Sequence, residues 1–290
     1  MKKSRKLATL GICSALFLGL AACQQQHATS EGTNQRQSSS AKVPWKASYT
    51  NLNNQVSTEE VKSLLSAHLD PNSVDAFFNL VNDYNTIVGS TGLSGDFTSF
   101  THTEYDVEKI SHLWNQKKGD FVGTNCRINS YCLLKNSVTI PKLEKNDQLL
   151  FLDNDAIDKG KVFDSQDKEE FDILFSRVPT EATTDVKVHA EKMETFFSQS
   201  QFNEKARMLS VVLHDNLDGE YLFVGHVGVL VPADDGFLFV EKLTFEEPYQ
   251  AIKFASKEDC YKYLGTKYAD YTGEGLAKPF IMDNDKWVKL

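Results

Sequence analysis

Three side chains in this sequence could form a hydrolytic site: Cys126, His226 and Glu241. A thiolate is a strong nucleophile, a neighbouring imidazole can take the proton of the thiol, and a carboxylate can hold that imidazole in a fixed orientation. Thr124 or Asn125 is expected to cap a helix, which places Cys126 in its first turn. The free N–H groups and the dipole of a helix N-terminus stabilise a thiolate at such a position.

His226 and Glu241 lie in two successive strand-like segments. If residues 232–235 form the hairpin loop between them, Val231 pairs with Gly236 and His226 lies directly opposite Glu241. The Cβ atoms of such a pair are about 5 Å apart. A slip of one residue would instead put the two side chains on opposite faces of the sheet. The sequence therefore predicts a Cys126–His226–Glu241 triad that depends on this register.

The elements around these residues predict an α+β fold, with a helical N-terminal part and a central helix packed on an antiparallel sheet. The segments with a helical pattern are Ser57–Tyr84, divided at Pro71, then Asp106–Gln116, residues 125–134, Asp185–Phe197 and Lys257–Leu264. The segments with a strand pattern, separated by turn residues, are Met208–Leu213, Tyr221–Val231 and Gly236–Leu243. Trp45, Trp114 and Tyr249 could belong to the core or line a cleft.

The N-terminus has the layout of an export signal. Basic residues at positions 2–6 precede an apolar stretch from Leu7 to Ala22, which ends in Leu-Ala-Ala before Cys23. This ending resembles the lipobox of bacterial lipoproteins, in which the cysteine is lipidated and the signal is cut just before it. The alternative is an ordinary secretory signal with a chance cysteine. We expect a signal peptide at 1–22, a flexible tether at 23–42 and a single globular domain at 43–290.

Charge and composition exclude several classes of function. Cleavage removes four of the 31 basic residues and no acidic residue, so the mature chain has 27 basic and 40 acidic residues and a formal charge of −13. This balance argues against nucleic acid as a partner and leaves the lipid anchor as the expected contact with the membrane. Asp153-Asn154-Asp155 and Asp283-Asn284-Asp285 begin like calcium loops, but each lacks the later ligands. No metal or cofactor is indicated.

Cysteine usage leaves a free thiol. Without Cys13 and the lipidated Cys23, the remaining cysteines are Cys126, Cys132 and Cys260. An odd number cannot all pair within the chain. Cys126 is predicted to be a free thiol, whereas the other two could be buried or paired.

Two resemblances extend this interpretation. A cysteine on a helix tip, a histidine in Gly225-His226-Val227-Gly228-Val229 and a polar residue in the next strand resemble the NlpC-type and papain-like cysteine peptidases and amidases. That resemblance implies Cys126 as nucleophile, His226 as general base, Glu241 as orienting residue and helix-tip N–H groups as oxyanion donors. Those enzymes commonly have Asp-Cys-Ser-Gly around the nucleophile, whereas this chain has Asn-Cys-Arg-Ile at positions 125–128.

The mature chain also resembles uncharacterised lipoproteins of streptococci and related Gram-positive bacteria, in TNCRINSYCLL and in the run from His226 to Gln250. Two functions follow as hypotheses. The first is a membrane-anchored, extracytoplasmic cysteine hydrolase acting on amide bonds of the cell envelope, such as those of peptidoglycan peptides. The second is a non-catalytic surface lipoprotein that binds a wall fragment, a peptide or a partner protein.

Overall fold

The computed structural model describes residues 46–100 and 103–290. The predicted signal peptide, Cys23, the tether and Trp45 lie outside the described residues. Within these ranges, every helix is too short or too polar to span a bilayer.

Helices and an antiparallel sheet make up the described chain, as the sequence predicts at this level. The helices are α1 (Gln55–Ser66), α2 (Pro71–Val88), α3 (Val107–Lys118), α4 (Cys126–Leu134), α5 (Phe151–Gly160), α6 (Ser165–Leu174), α7 (Val186–Phe197) and α8 (Lys257–Lys267). The strands are β1 (Ala47–Thr50), β2 (Thr98–Ser99), β3 (Val178–Pro179), β4 (Arg207–Asp215), β5 (Tyr221–Ala233), β6 (Gly236–Lys242), β7 (Tyr249–Phe254), β8 (Phe280–Asp283) and β9 (Lys286–Val288).

The sheet is built around an antiparallel meander. Its order is β2-β1-β7-β6-β5-β4-β8-β9, and β3 pairs separately with β5. The meander from β4 to β6 matches the three predicted strands, and β7 continues it. The expectation that helices come first and strands afterwards is wrong at the start of the chain, because β1 precedes all the helices and pairs with β7.

Local capping explains where the first two helices begin. Asn54 caps α1 by accepting a hydrogen bond from the Ser57 amide, so the helix begins two residues before the predicted start at Ser57. Asp70 caps α2, and Pro71 occupies its first turn, where a missing N–H costs nothing. Helices α5 and α6 were not predicted from the sequence.

Each side of the sheet carries a different helix. On one side, Ile128 of α4 belongs to the same apolar cluster as Val227 and Val229 of β5. On the other side, Leu264 of α8 shares a cluster with Leu230. In α4, every residue except the half-buried one at position 127 is buried, so this helix is central, as expected.

The β5–β6 register differs from the expected one by two residues. Ala233 pairs with Gly236 across a two-residue turn, so the expected pairing of Val231 with Gly236 is wrong. An even shift preserves the alternation of side chains between the two faces. His226 and Glu241 are therefore diagonal neighbours on one face instead of directly opposed residues.

Two buried histidines join α7 to the sheet. The Nε2 atom of His189 lies 2.8 Å from the carbonyl oxygen of Thr183, so this nitrogen must donate, and Nδ1 accepts from the Thr180 hydroxyl at 2.6 Å. The His214 ring lies 4.4 Å from the His189 ring, centre to centre. Burial lowers the pKa of His189, the neighbouring His214 lowers it further, and the bond to Thr183 opposes both effects.

This arrangement predicts acid-sensitive stability. Because the pKa of His189 is lowered in the fold, its contribution to stability is complete above about pH 6.5 and is lost as the pH falls below that value. Glu220 and Asp185 are the nearby acids, and their charges favour protonation of His189. We expect the free energy of unfolding in urea to fall from about pH 7.5 to about pH 5.5, and His189→Gln to remove part of that fall. An identical pH dependence in the variant would contradict the role of His189.

Candidate functional site

Cys126 is the first residue of α4, as predicted. The side chain of Asn125 caps the helix by accepting a hydrogen bond from the Ile128 amide at 3.1 Å. Only 2% of the Cys126 surface is exposed. Amide groups in the first turn of a helix have no partner within the helix, so they can stabilise negative charge next to this thiol.

One buried carboxylate, that of Asp153, is hydrogen-bonded to the residues on both sides of Cys126. Asp153 of α5 accepts hydrogen bonds from the side-chain amide nitrogen of Asn125 at 2.8 Å and from two guanidinium nitrogens of Arg127 at 2.9 and 2.7 Å. A third Arg127 nitrogen donates to the carbonyl oxygen of Val224 in β5 at 3.0 Å. This role of Asp153 was not predicted from the sequence. Because α5 itself was not predicted, no sequence pattern indicated that Asp153 lies beside α4.

His226 lies next to an irregularity in β5. In the β4–β5 ladder, His226 pairs with Val211 and Val224 with Val212, so Gly225 is an extra residue. A side chain at Gly225 would collide with a side chain of β4 at 2.3 Å. Pairing of β5 with β6 covers residues 229–233 of β5, so in the described ladder the strands are not paired beside His226. The imidazole can therefore contact groups from both helical layers.

His226 is bonded directly to Glu241, one of the other two predicted residues. Its Nε2 atom lies 2.5 Å from a carboxylate oxygen of Glu241. Its Nδ1 atom has no hydrogen-bond partner among the described residues. Burial opposes the charged imidazole, but the charges of Cys126 and Glu241, with the hydrogen bond to Glu241, outweigh it and raise the pKa of His226.

Helix α8 supplies further contacts to Glu241. The Tyr263 hydroxyl donates to one carboxylate oxygen, and the Lys267 ammonium lies 3.5 Å from the same oxygen. Burial alone would raise the pKa of Glu241, yet Lys267, His226 and the hydrogen bonds lower it to about 2. Glu241 is therefore an ionised carboxylate within the protein interior.

Tyr268, just after α8, stacks on the His226 ring with centres 5.1 Å apart. A helix at Lys257–Leu264 is predicted from the sequence, but its role in the site is not. The available signal was the spacing of Tyr263 and Lys267, which are four residues apart and therefore share one helix face.

A buried lysine fixes the loop between β6 and β7. The Lys242 ammonium donates to the carbonyl oxygens of Thr244 at 2.7 Å, of Phe245 at 3.1 Å and of Glu247. It also lies 4.3 Å from the centre of the Tyr84 ring. Burial lowers the pKa of Lys242 to about 7, against the nearby acids of the loop. Residues 243–248, here called the β6–β7 loop, are thus wrapped around one positive charge.

Two neighbouring cavities lie beside the N-terminal end of α4, and Tyr84 and Trp114 line both. The larger has a volume of about 180 Å³ and is bounded by Phe245 of the β6–β7 loop. The smaller reaches Gly123 and Thr124, shortly before Cys126. Trp114 is thus both buried and part of a cleft wall.

The three described cysteines are buried free thiols. Burial raises the pKa of Cys132 to about 12 and that of Cys260 well above its ordinary value. Cys126 differs from both because it contributes to the raised pKa of the His226 imidazole.

The chain belongs to the DUF4300 family, described as a domain of unknown function, whose model matches residues 48–288. Neither a curated protein nor a solved structure matches the chain.

The buried pair predicts the effect of neutralising Glu241. A Glu241→Gln substitution keeps the shape but leaves His226 without its counter-charge, so we expect a loss of about 3–5 kcal/mol in the free energy of unfolding. The pKa of His226, measured by NMR of the ring, should fall. The matched control is Glu220→Gln, since Glu220 pairs with His214 at 2.7 Å but its side chain is 30% exposed. Equal losses in the two variants, with an unchanged His226 pKa, would contradict the prediction.

Proposed function

We propose that this chain is a lipid-anchored, extracytoplasmic cysteine hydrolase that cleaves amide bonds of the cell envelope. The observation that carries the proposal is the buried His226–Glu241 pair, in which Cys126 helps to raise the pKa of the imidazole. In this arrangement the raised pKa of His226 favours its charged imidazolium form at neutral pH.

The proposed reaction assigns one role to each residue. The Cys126 sulfur attacks the amide carbonyl carbon, and N–H groups of the first turn of α4 stabilise the resulting oxyanion. The carbon–nitrogen bond then breaks, and the proton on Nδ1 of His226 passes to the leaving amine. Water, deprotonated by His226, hydrolyses the thioester and releases the acid and the free thiol. Glu241 holds the imidazole through Nε2 and stabilises its charged form.

The papain-like and NlpC-type resemblance supports the same assignment through the order of helix-tip cysteine, strand histidine and polar residue on the next strand. The Asn-Cys-Arg-Ile segment departs from the usual Asp-Cys-Ser-Gly. The contacts of Asp153 give these departures a structural role, since Asn125 and Arg127 use it to orient the helix tip.

A second candidate function is a non-catalytic lipoprotein that binds a wall fragment, a peptide or a partner protein. The observation that favours it is burial: Cys126 is 2% exposed and His226 is fully buried. A substrate carbonyl can reach the sulfur only if groups covering the helix tip move.

Thiol labelling separates the two candidates. We expect a small electrophile, iodoacetamide, to modify Cys126 in the folded protein at about pH 6.5, where an unassisted thiol is almost wholly protonated. Peptide mapping should find Cys132 and Cys260 unmodified. His226→Gln should slow the reaction on the order of tenfold or more.

Cys126→Ser is the control and should abolish the label and any release of new amines from peptidoglycan. Labelling of Cys126 only after unfolding would contradict the hydrolase and favour the binding protein.

The anchor has its own test. We expect Cys23→Ala to leave an uncleaved precursor or to release the protein from the membrane fraction, because the thiol that carries the lipid is absent. Cys13→Ala is the matched control, since Cys13 lies inside the signal, and it should be processed and anchored normally. A Cys23→Ala protein that is still cleaved and membrane-bound would rule out lipidation at this residue.

A further inference from the structure

Two cations share the Glu241 carboxylate, one on each oxygen. The His226 imidazole lies 2.5 Å from Oε2, and the Lys267 ammonium lies 3.5 Å from Oε1. The Glu241 side chain is fully buried, and no further ion pair to it occurs among the described residues. The carboxylate carries one negative charge, so each cation weakens the attraction of Glu241 for the other.

Lys267 is held near the imidazole by more than this ion pair. Its ammonium donates to the Tyr263 hydroxyl at 2.9 Å, and that hydroxyl donates in turn to Oε1 of Glu241. The Lys267 nitrogen also lies 5.2 Å from the centre of the Tyr263 ring and 5.7 Å from that of Tyr268, which stacks on His226. Only 29% of the Lys267 side chain is exposed. Its charge is therefore fixed beside the His226–Glu241 pair and only partly screened by water.

The proposed reaction needs His226 in both protonation states. The imidazolium gives its proton to the leaving amine, and the neutral imidazole then takes a proton from the water that hydrolyses the thioester. A buried carboxylate acting alone stabilises the imidazolium and so opposes the second step. A general base works best when its pKa lies near the working pH, so a second cation on the carboxylate favours that step.

We infer that Lys267 is a positioning residue for His226: it shares the Glu241 carboxylate with the imidazole and limits how tightly the imidazole holds its proton. The catalytic consequence of this inference rests on the proposed function, whereas the charge coupling can be measured without a substrate. Burial raises the pKa of Glu241, and Lys267 is the largest of the opposing influences that lower it to about 2. Tyr263 completes the arrangement, because it bonds Oε1 to α8 and leaves Oε2 for His226.

Other titratable side chains surround the same pair. Those that interact with Glu241 or with the imidazole are Cys126 of α4, Cys260 and Tyr263 of α8, Tyr268, Tyr105 and Glu247 of the β6–β7 loop. Burial raises the pKa of Cys260 and of Tyr263 well above their ordinary values and that of Tyr105 to about 12, so these three are neutral near pH 7. Glu247 is the other carboxylate, and it also interacts with Lys267. Its effect must be separated from that of Glu241 by experiment.

NMR titration of the His226 ring in the mature chain tests the inference, with His226→Gln used to assign the signal. We expect Lys267→Met to raise the pKa of His226 by about one unit, because a positive charge on its carboxylate is removed. Lys267→Gln, which can still hydrogen-bond with Tyr263, should give the same rise, and Lys267→Arg, which keeps the charge, should hold the original value. Lys262→Met is the matched control, since Lys262 is an exposed lysine of the same helix, and it should leave the pKa unchanged.

The sign of the shift separates charge coupling from a structural effect. A site that merely loosened would return His226 toward its ordinary pKa, which is a fall, because the pKa is raised in the fold. An unchanged or lowered pKa in the two neutral variants, or an equal rise in Lys262→Met, overturns the inference. In a Glu247→Gln background, Lys267→Met should still raise the pKa of His226 by about one unit. A rise that disappears there assigns the effect to Glu247 and also overturns the inference.

Activity and labelling distinguish this inference from the proposed function. In Lys267→Met, the pH at which amine release from peptidoglycan reaches half its maximum on the acid side should move up by about one unit, because the neutral imidazole forms only at higher pH. Labelling of Cys126 by iodoacetamide together with an unchanged His226 pKa in Lys267→Met overturns the inference alone. A folded protein whose His226 pKa rises as expected but whose Cys126 is never labelled overturns the proposed function alone.

Discussion

The candidate site depends on a charge pair removed from water, Glu241 with His226. Taking a carboxylate out of water has a large free-energy cost, which is offset only where several donors converge on it. Tyr263 and Lys267 supply those donors from α8, and Tyr268 covers the imidazole. The position of α8 against the sheet is therefore a requirement of the site.

The lack of pairing between β5 and β6 beside His226 also has a direct consequence for the site. Cys126 lies in the α4 layer, whereas Glu241 is bonded by groups of the α8 layer on the other side. A fully paired sheet would separate these layers. Because β5 and β6 are not paired beside His226, the imidazole can interact with both. The extra residue Gly225 alters the strand at this point, where a side chain would have no room.

Sequence reasoning reached the parts of the site that local patterns encode. Capping signals placed Cys126 at the start of a helix, and alternation put His226 and Glu241 on one face even though the register was two residues out. Asp153 and Lys267 were missed for a different reason. Their contacts join segments about 26 residues apart, and neither periodicity nor turn chemistry records such pairings.

The contacts of Lys242 fix a loop that lies close to Gly123, shortly before α4. The β6–β7 loop is held by hydrogen bonds from the Lys242 ammonium to three of its carbonyl oxygens. Its Phe245 lines the larger of the two cavities beside α4. Moving that loop would leave an ammonium without its acceptors in a buried position, which is costly. Lys242 follows Glu241 directly in β6, so its side chain points to the opposite face, toward Tyr84 and Tyr249. One short strand thus carries both the carboxylate that is bonded to the imidazole and the lysine that holds the β6–β7 loop.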